Sequence, residues 1–330
     1  FATVGGAIGN DVHGKNHHAA GSFGQHVLGV DLLNANGAHH VTLDSDPDLF
    51  RATMGGLGQT GIIASAKLQL MRCKGDIVTL TERRVRGLDE FLPLLDRSDA
   101  TYTVGWIDAT ATGDALGLGI LEEAETGAGL VPQAKPSKSV PFNAPGWALS
   151  PPVVRLFNRA YYNRVPKCGR SVVKPINDFF FPLDRIHDWN RLYGKTGFHQ
   201  FQCVVPVASA PVLHDMLKRI SASGLASPLA VLKRMGPGRA GHMSFPMEGY
   251  TLAVDFRNRG GADNLISVLE DITAEAGGRI YLAKDALTSR DKVRAMSPEY
   301  HDWATEVAKA DPKGALITDL VRRLGLRNAA

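Results

Sequence analysis

Between positions 199 and 207 the chain alternates with a period of two: Phe201, Cys203 and Val205 fall on one face, Gln200, Gln202 and Val204 on the other. That is a strand with one buried face and one polar face. A helix follows, with Ser209 as its cap, Pro211 near its first turn and Gly224 as its stop. Strands at 228–234 and 249–256 come next, then a helix over 264–276 that begins after Asp263 and ends at Gly277-Gly278, then a strand at 279–283. Strand, helix, strand, strand, helix, strand implies an antiparallel sheet with helices on one face, an α+β architecture. At 330 residues the chain has room for two domains.

Upstream, 27–33 and 59–70 read as strands and Asn34-Ala35-Asn36-Gly37 as a hairpin turn. The stretch from Pro47 to Gly58 reads as a short helix entering a Gly-rich loop, and 88–96 as a helix. Residues 132–175 hold eight prolines, which predicts a long irregular or mobile segment. Its Trp147, Phe157, Tyr161 and Tyr162 lie among Lys135, Lys138, Arg155 and Arg159, which suits either a variable surface loop or a cover for a greasy, anionic ligand. In the helical tail, Ser297-Pro298 and Asp311-Pro312 both read as helix starts, and Gly325 as the last stop.

A net charge of +4 is too small to indicate nucleic acid; it suits an anionic ligand or an acidic membrane surface. Cys73, Cys168 and Cys203 lie far apart, without zinc or disulfide spacing. No apolar run is long enough to cross a membrane. The chain opens in mid-motif without an initiator Met, so a preceding segment is expected.

Three segments carry chemistry. Residues 5–24 hold six glycines with His13, Lys15, Asn16, His17 and His18. Glycines admit a ligand close to backbone N–H groups. Neither the P-loop nor the dinucleotide fingerprint is present, and His17-His18 has no third metal ligand at usable spacing. A second Gly-rich run, 54–63, reads as a tight turn before a strand or, with the first loop, as the second jaw of one grip. The third segment, 278–285, ends a strand at Lys284. That lysine is either a solvated strand-end side chain paired with Asp285 or a cation aimed into a site.

The loop HGKNHH followed by GSFG resembles the flavin-binding loop of FAD-linked oxidases of the vanillyl-alcohol oxidase-like family that act on polyprenyl-phosphate pentoses. MGGLGQTGII (54–63), DWNRLYG (188–194), GFHQFQCVVP (197–206), VLKRMGPG (231–238), MSFPMEGY (243–250), GGRIYLAKD (277–285) and DP…RRLGL (311–326) keep the same order, so the resemblance spans essentially the whole chain. It implies a two-domain FAD-binding fold, with 1–75 and 279–330 in the FAD domain and 76–278, including a mobile 132–175, in a substrate domain. It implies FAD contacts from Thr3, Val4, Gly5, Gly6, Asn10, Asp11, Val12, His13, Ile62 (Ile63 being the register alternative) and Tyr281. Lys284 would be the lysine beside the isoalloxazine, and His13 a flavin-orienting group or a base. Gln200, Gln202, Lys233, Phe180, Thr251 and Ala253 would line the substrate side, with Trp106 and Asn190 nearby.

The implied reaction is oxidation of a sugar hydroxyl to a ketone, at C2′ of decaprenylphosphoryl ribose. It would be the first half of an epimerisation in cell-wall arabinan precursor synthesis, completed by a NAD(P)H-dependent keto-sugar reductase. The implied setting is the cell envelope, on the periplasmic or cytoplasmic membrane face, with peripheral membrane contact and no integral span. Four positions depart from the family's pattern: Asn10 and Ala253 replace cysteines, Thr251 replaces Asn and Phe180 replaces Tyr. These keep open a same-fold enzyme acting on an aldonolactone or soluble polyol. A non-catalytic binding module without flavin is the reading from a different class.

Overall fold

The computed structural model describes residues 2–132 and 136–327. Its strands, in chain order, are β1 (Val27–Asn34), β2 (Gly37–Val41), β3 (Ile62–Leu68), β4 (Ile77–Val85), β5 (Tyr102–Ile107), β6 (Gly119–Gly127), β7 (Lys138–Ser139), β8 (Arg170–Pro175), β9 (Ile186–His187), β10 (Phe198–Pro206), β11 (Ala226–Met235), β12 (Gly249–Arg257) and β13 (Arg279–Ile280). Eight of them form one antiparallel sheet in the order β13-β10-β12-β11-β5-β6-β4-β8, and β2-β1-β3 form a second. The two-residue strands β7 and β9 pair in parallel. The mixture of helices with antiparallel sheets agrees with the α+β expectation.

The period-two pattern of β10 sorts the large sheet into two unlike faces. Phe201, Cys203 and Val205 join Leu232, Leu252, Val254 and Phe256 in the main core. Against them pack Phe91 and Leu95 of the helix Leu88–Asp96, Leu213, Met216 and Ile220 of Val212–Ser223, and Ile266 and Leu269 of Ala262–Glu275. Full burial of each such side chain stabilises the fold by about 1.5–3 kcal/mol. Residues directly opposite in antiparallel register share a face. One row on the other face therefore runs Gln202–Ala253–Val231–Trp106–Ile120–Arg84. A separate cluster centred on Trp303 ties the tail helix Tyr300–Ala310 to Ala52 of the helix Pro47–Thr53.

Several expectations need correction. The Pro-rich segment is not irregular throughout. It contains a 13-residue helix, Pro151–Asn163, and strand β8. Pro151 and Pro152 stand in the helix's first turn, where their missing N–H groups cost nothing. Lys135 lies outside the described residues. The strand expected at 279–283 stops at Ile280, and Leu282–Lys284 forms a 3-10 turn. Asp311 starts no helix; it terminates Tyr300–Ala310, and the last helix, Asp319–Arg323, is capped by the Thr318 side chain. Ser209 does not cap its helix either, because its hydroxyl donates to the Ala276 carbonyl.

Candidate functional site

The two Gly-rich segments meet. Residues Val4–Gly9, expected as loop, form a short helix whose first turn is capped by the Thr3 hydroxyl accepting from Gly6 N at 3.1 Å. Gly55 N donates to Ile8 O at 2.9 Å and Leu57 N to Gly9 O at 2.8 Å, so the second segment is stitched to the end of that helix. Gly55 and Gly58 sit at φ +67° and +72°, where a Cβ would be strained. Gly5 and Gly58 face open space. Val4 and Ile62 are 53% and 59% exposed, whereas Ile63 packs into the small-sheet core; of the two register choices, Ile62 is the outward one. A shallow cleft opens beside them, lined by Asn10, Gly55, Leu57, Phe245, Arg279 and Tyr281 among others.

Asp11 and Val12 hold His13 in place. The Asp11 carboxylate, fully buried, accepts from Gly24 N at 2.7 Å and Ala240 N at 3.1 Å, so that side chain is committed to the loop. Val12 O accepts from Phe23 N, and His13 pairs with Ser22. The His13 ring then reaches the polar face of the sheet. Lys233 Nζ donates to His13 Nδ1 at 3.0 Å, and His13 Nε2 lies 3.0 Å from the Gln202 amide nitrogen, which is also 2.9 Å from Thr251 Oγ1. With Nδ1 accepting, the neutral ring carries its proton on Nε2, which calls for the Gln202 amide oxygen at that position. In either orientation of the amide, one polar atom of this 2%-exposed side chain has no protein partner. Phe245 and Tyr281 stack at 4.6 Å and stand 5.6 and 5.5 Å from the His13 ring.

Lys284 arrives from the edge strand. Tyr281 N donates to Gln202 O at 2.9 Å, and Lys284 N to Tyr281 O at 3.0 Å, so the 3-10 turn hangs on β10 beside Gln202. Asp285 does not pair with Lys284. It binds Arg323 and the backbone N–H groups of Leu287 and Thr288. The carboxylate that faces Lys284 is Asp255, which accepts from Gln200 Nε2 at 2.6 Å and Tyr193 Oη at 2.9 Å.

The electrostatics follow from burying many cations near one carboxylate. Burial, then Lys284 and Lys15, press the Lys233 pKa down to about 7. Burial, Lys233, His17 and Lys284 drive His13 well below the usual histidine value, and burial followed by Lys233 takes His17 down to about 4. Burial lowers Lys284, and Asp255 opposes that. Burial raises Asp255 to about 6, against the hydrogen bonds from Tyr193 and Gln200 and the charge of Lys284. Such a group, rich in positive charge and short of protein partners, is suited to an anion or a polarised oxygen.

Phe180 stands apart from this hydrogen-bonded group, against Tyr102 at 4.9 Å. Its neighbour Phe179 lies under Lys15, whose Nζ is 3.7 Å from the ring centroid and whose pKa burial takes down to about 8. Trp106 is in the Gln202 row but three strands away, about 14 Å at the usual interstrand spacing. Asn190 is exposed on a 3-10 turn. Sequence reasoning missed Asp255, Phe245 and Tyr193 as parts of this group. For Asp255 the signal was present: it continues the Thr251–Ala253 alternation, but only strand pairing shows that this face adjoins Gln200 and Gln202.

No protein-family model matches the chain. It is 36% identical over 339 residues to decaprenylphosphoryl-β-D-ribose oxidase of Mycolicibacterium smegmatis, covering 98% of this chain and 74% of that protein. The chain belongs to the decaprenylphosphoryl-β-D-ribose oxidase family. It is also 32% identical over 348 residues to a Streptomyces coelicolor protein described only as an uncharacterized protein in the mprA 5′ region, covering 98% of this chain and 93% of that one. Family membership makes the chain an oxidoreductase of the oxidase type. Among the described residues no helix is long and apolar enough to cross a membrane.

Proposed function

We propose that this family member binds FAD and oxidises a secondary hydroxyl of a polyprenyl-phosphate pentose to a ketone, with C2′ of decaprenylphosphoryl-β-D-ribose as the substrate position. The observation that carries this reading is the convergence of His13, Lys233 and Lys284 beside the cradle formed by the two Gly-rich segments. The cradle's open glycines, the outward Val4 and Ile62 and the partnerless amide atom of Gln202 fit a flat, polar-edged ring held by main chain.

FAD supplies the hydride acceptor. The remaining work falls to the chain's own groups. Lys284, whose cationic form Asp255 favours against burial, would stabilise negative charge on the substrate oxygen or on a flavin held beside it. Lys233, with its pKa near 7, is matched to hold or release a proton at neutral pH. His13, held neutral between Lys233 and Gln202, fixes orientation rather than carrying charge. Gln200 and Gln202 present amides to sugar hydroxyls. The ketone would pass to a NAD(P)H-dependent reductase that completes an epimerisation in arabinan precursor synthesis, at a cell-envelope membrane face.

The test is an absorbance spectrum of the purified protein followed by anaerobic titration with decaprenylphosphoryl ribose. Flavin bands that bleach on adding the lipid sugar are expected. Absence of flavin bands sinks the cofactor assignment. Bleaching by an aldonolactone or soluble polyol, but not by the lipid sugar, moves the substrate to that class.

A further inference from the structure

We infer that the helix Pro151–Asn163 and the turn before it form a docking surface for an anionic lipid bilayer. Val154, Asn158 and Tyr161 turn inward: Val154 and Asn158 are buried, Asn158 Nδ2 donates to Asp108 at 2.6 Å, and Tyr161 packs on Trp106 at 4.7 Å. Val153, Leu156, Phe157 and Ala160, at spacing i, i+3, i+4 and i+7, make a second stripe on the solvent side. Leu156 is 70% exposed, Phe157 50%, and Trp147 in the preceding 3-10 turn 68%. A water-facing apolar stripe of this spacing marks a contact surface.

Charge selects the occupant. Between Thr126 and Asn177 the chain has eight Lys or Arg and no Asp or Glu. Arg164 and Arg170 are paired with the buried Glu82. Lys138, Arg155, Arg159 and Lys167 are exposed, with the two arginines on the helix beside the apolar stripe. An apolar stripe bordered by cations, with an exposed Trp next to it, is the composition of a helix lying in the headgroup plane of an anionic bilayer. The helix's inner side packs on Trp106, in the same sheet row as Gln202. A bilayer under the stripe would therefore lie along the face that carries the basic site, where a lipid-linked substrate could pass without crossing water. The inference does not rest on the flavin assignment.

The test is co-sedimentation of the purified protein with phosphatidylcholine vesicles, with and without phosphatidylglycerol. Wild type should sediment with the anionic vesicles and much less with phosphatidylcholine alone. Leu156→Asp should weaken partition by about tenfold or more. The double variant Arg155→Ala, Arg159→Ala should weaken it by about fivefold per residue and lower its sensitivity to salt. Both changes are at exposed positions, and an unchanged melting temperature confirms folding. The inference is overturned if wild type stays in the supernatant with anionic vesicles, if Leu156→Asp sediments as wild type does, or if both vesicle types bind equally. A lipid-free dimer that buries the stripe and binds no vesicles overturns it in favour of a second copy. Because sedimentation needs no turnover, these outcomes are independent of the absorbance test.

Discussion

Replacing Lys233 with Met should flatten the pH dependence of stability in the flavin-free protein. Lys233 falls from an ordinary lysine pKa of 10.5 to about 7 in the fold, chiefly through burial. The unfolded chain therefore holds a proton that the folded one gives up across the interval from about 7 to 10.5. Stability rises with pH wherever the unfolded state binds more protons. The full penalty of the buried cation is thus present below pH 7 and fades as the pH climbs towards 10.5. Linkage puts that penalty at about 4 kcal/mol at pH 7 and about 2 kcal/mol at pH 9. Wild type should accordingly gain about 2 kcal/mol from this one group between those two values, and Lys233→Met should lose that gain. His13 and His17 are both lowered by Lys233, and they recover in the variant only towards ordinary histidine values, below the window. Urea unfolding at pH 7 and pH 9, followed by the fluorescence of the fully buried Trp303, reads the difference. Parallel pH dependence in the two proteins would refute the account of Lys233 as a buried cation.

Asp255→Asn should slow anaerobic substrate oxidation and abolish the acid limb of its rate profile. In wild type, rates should fall as pH drops through about 6, where the raised carboxyl gains a proton and Lys284 loses its counter-charge; stopped-flow absorbance checks this. Gly241→Ala places a Cβ 1.7 Å from the Met54 carbonyl oxygen, so backbone must shift, with a loss of about 2–3 kcal/mol measurable by thermal unfolding. Val231→Ser puts a hydroxyl in the row between Ala253 and Trp106; KM for the polyprenyl substrate should rise while a short-chain analogue is little affected.

The parts legible in the sequence are those whose signal is local. The alternation in β10 gave the inward and outward faces correctly, because one residue of phase error would have buried two glutamines against Phe256. Helix Leu88–Asp96 and the stop at Gly224, which adopts the left-handed φ of +63°, were readable for the same reason. Proline density does not reveal the helix Pro151–Asn163, because prolines in a first turn help a helix begin. The Asp311-Pro312 pair has the local pattern of an N-cap but ends a helix. The Asp311 carboxylate accepts from Ala315 N and Leu316 N and pairs with Arg327, so it orders the turn after a helix rather than the start of one. The hydrogen bonds of His13 to Lys233 and Gln202 span 220 and 189 positions, and no spacing rule reaches that far.

The division of the large sheet explains how one fold can be stable and still hold an electrostatically costly site. The face under the helices Leu88–Asp96, Val212–Ser223 and Ala262–Glu275 carries the largest apolar core, so the opposite face can give up apolar packing at one end. At its β10–β12–β11 end this second face collects Gln200, Gln202, Thr251, Asp255 and Lys233. At its β4–β6 end Glu82 is buried too, but there two arginines answer it, and its carboxyl is held below the usual range despite burial. The two ends bury charge under opposite rules. The buried Glu82 carboxylate meets its complement within the protein, as a structural ion pair requires. Around Lys233 the cations outnumber the carboxylates, and a polar atom of Gln202 is left over. An anionic ligand seated where buried charge is left unsatisfied should raise the lysine pKa values and take up protons as it binds.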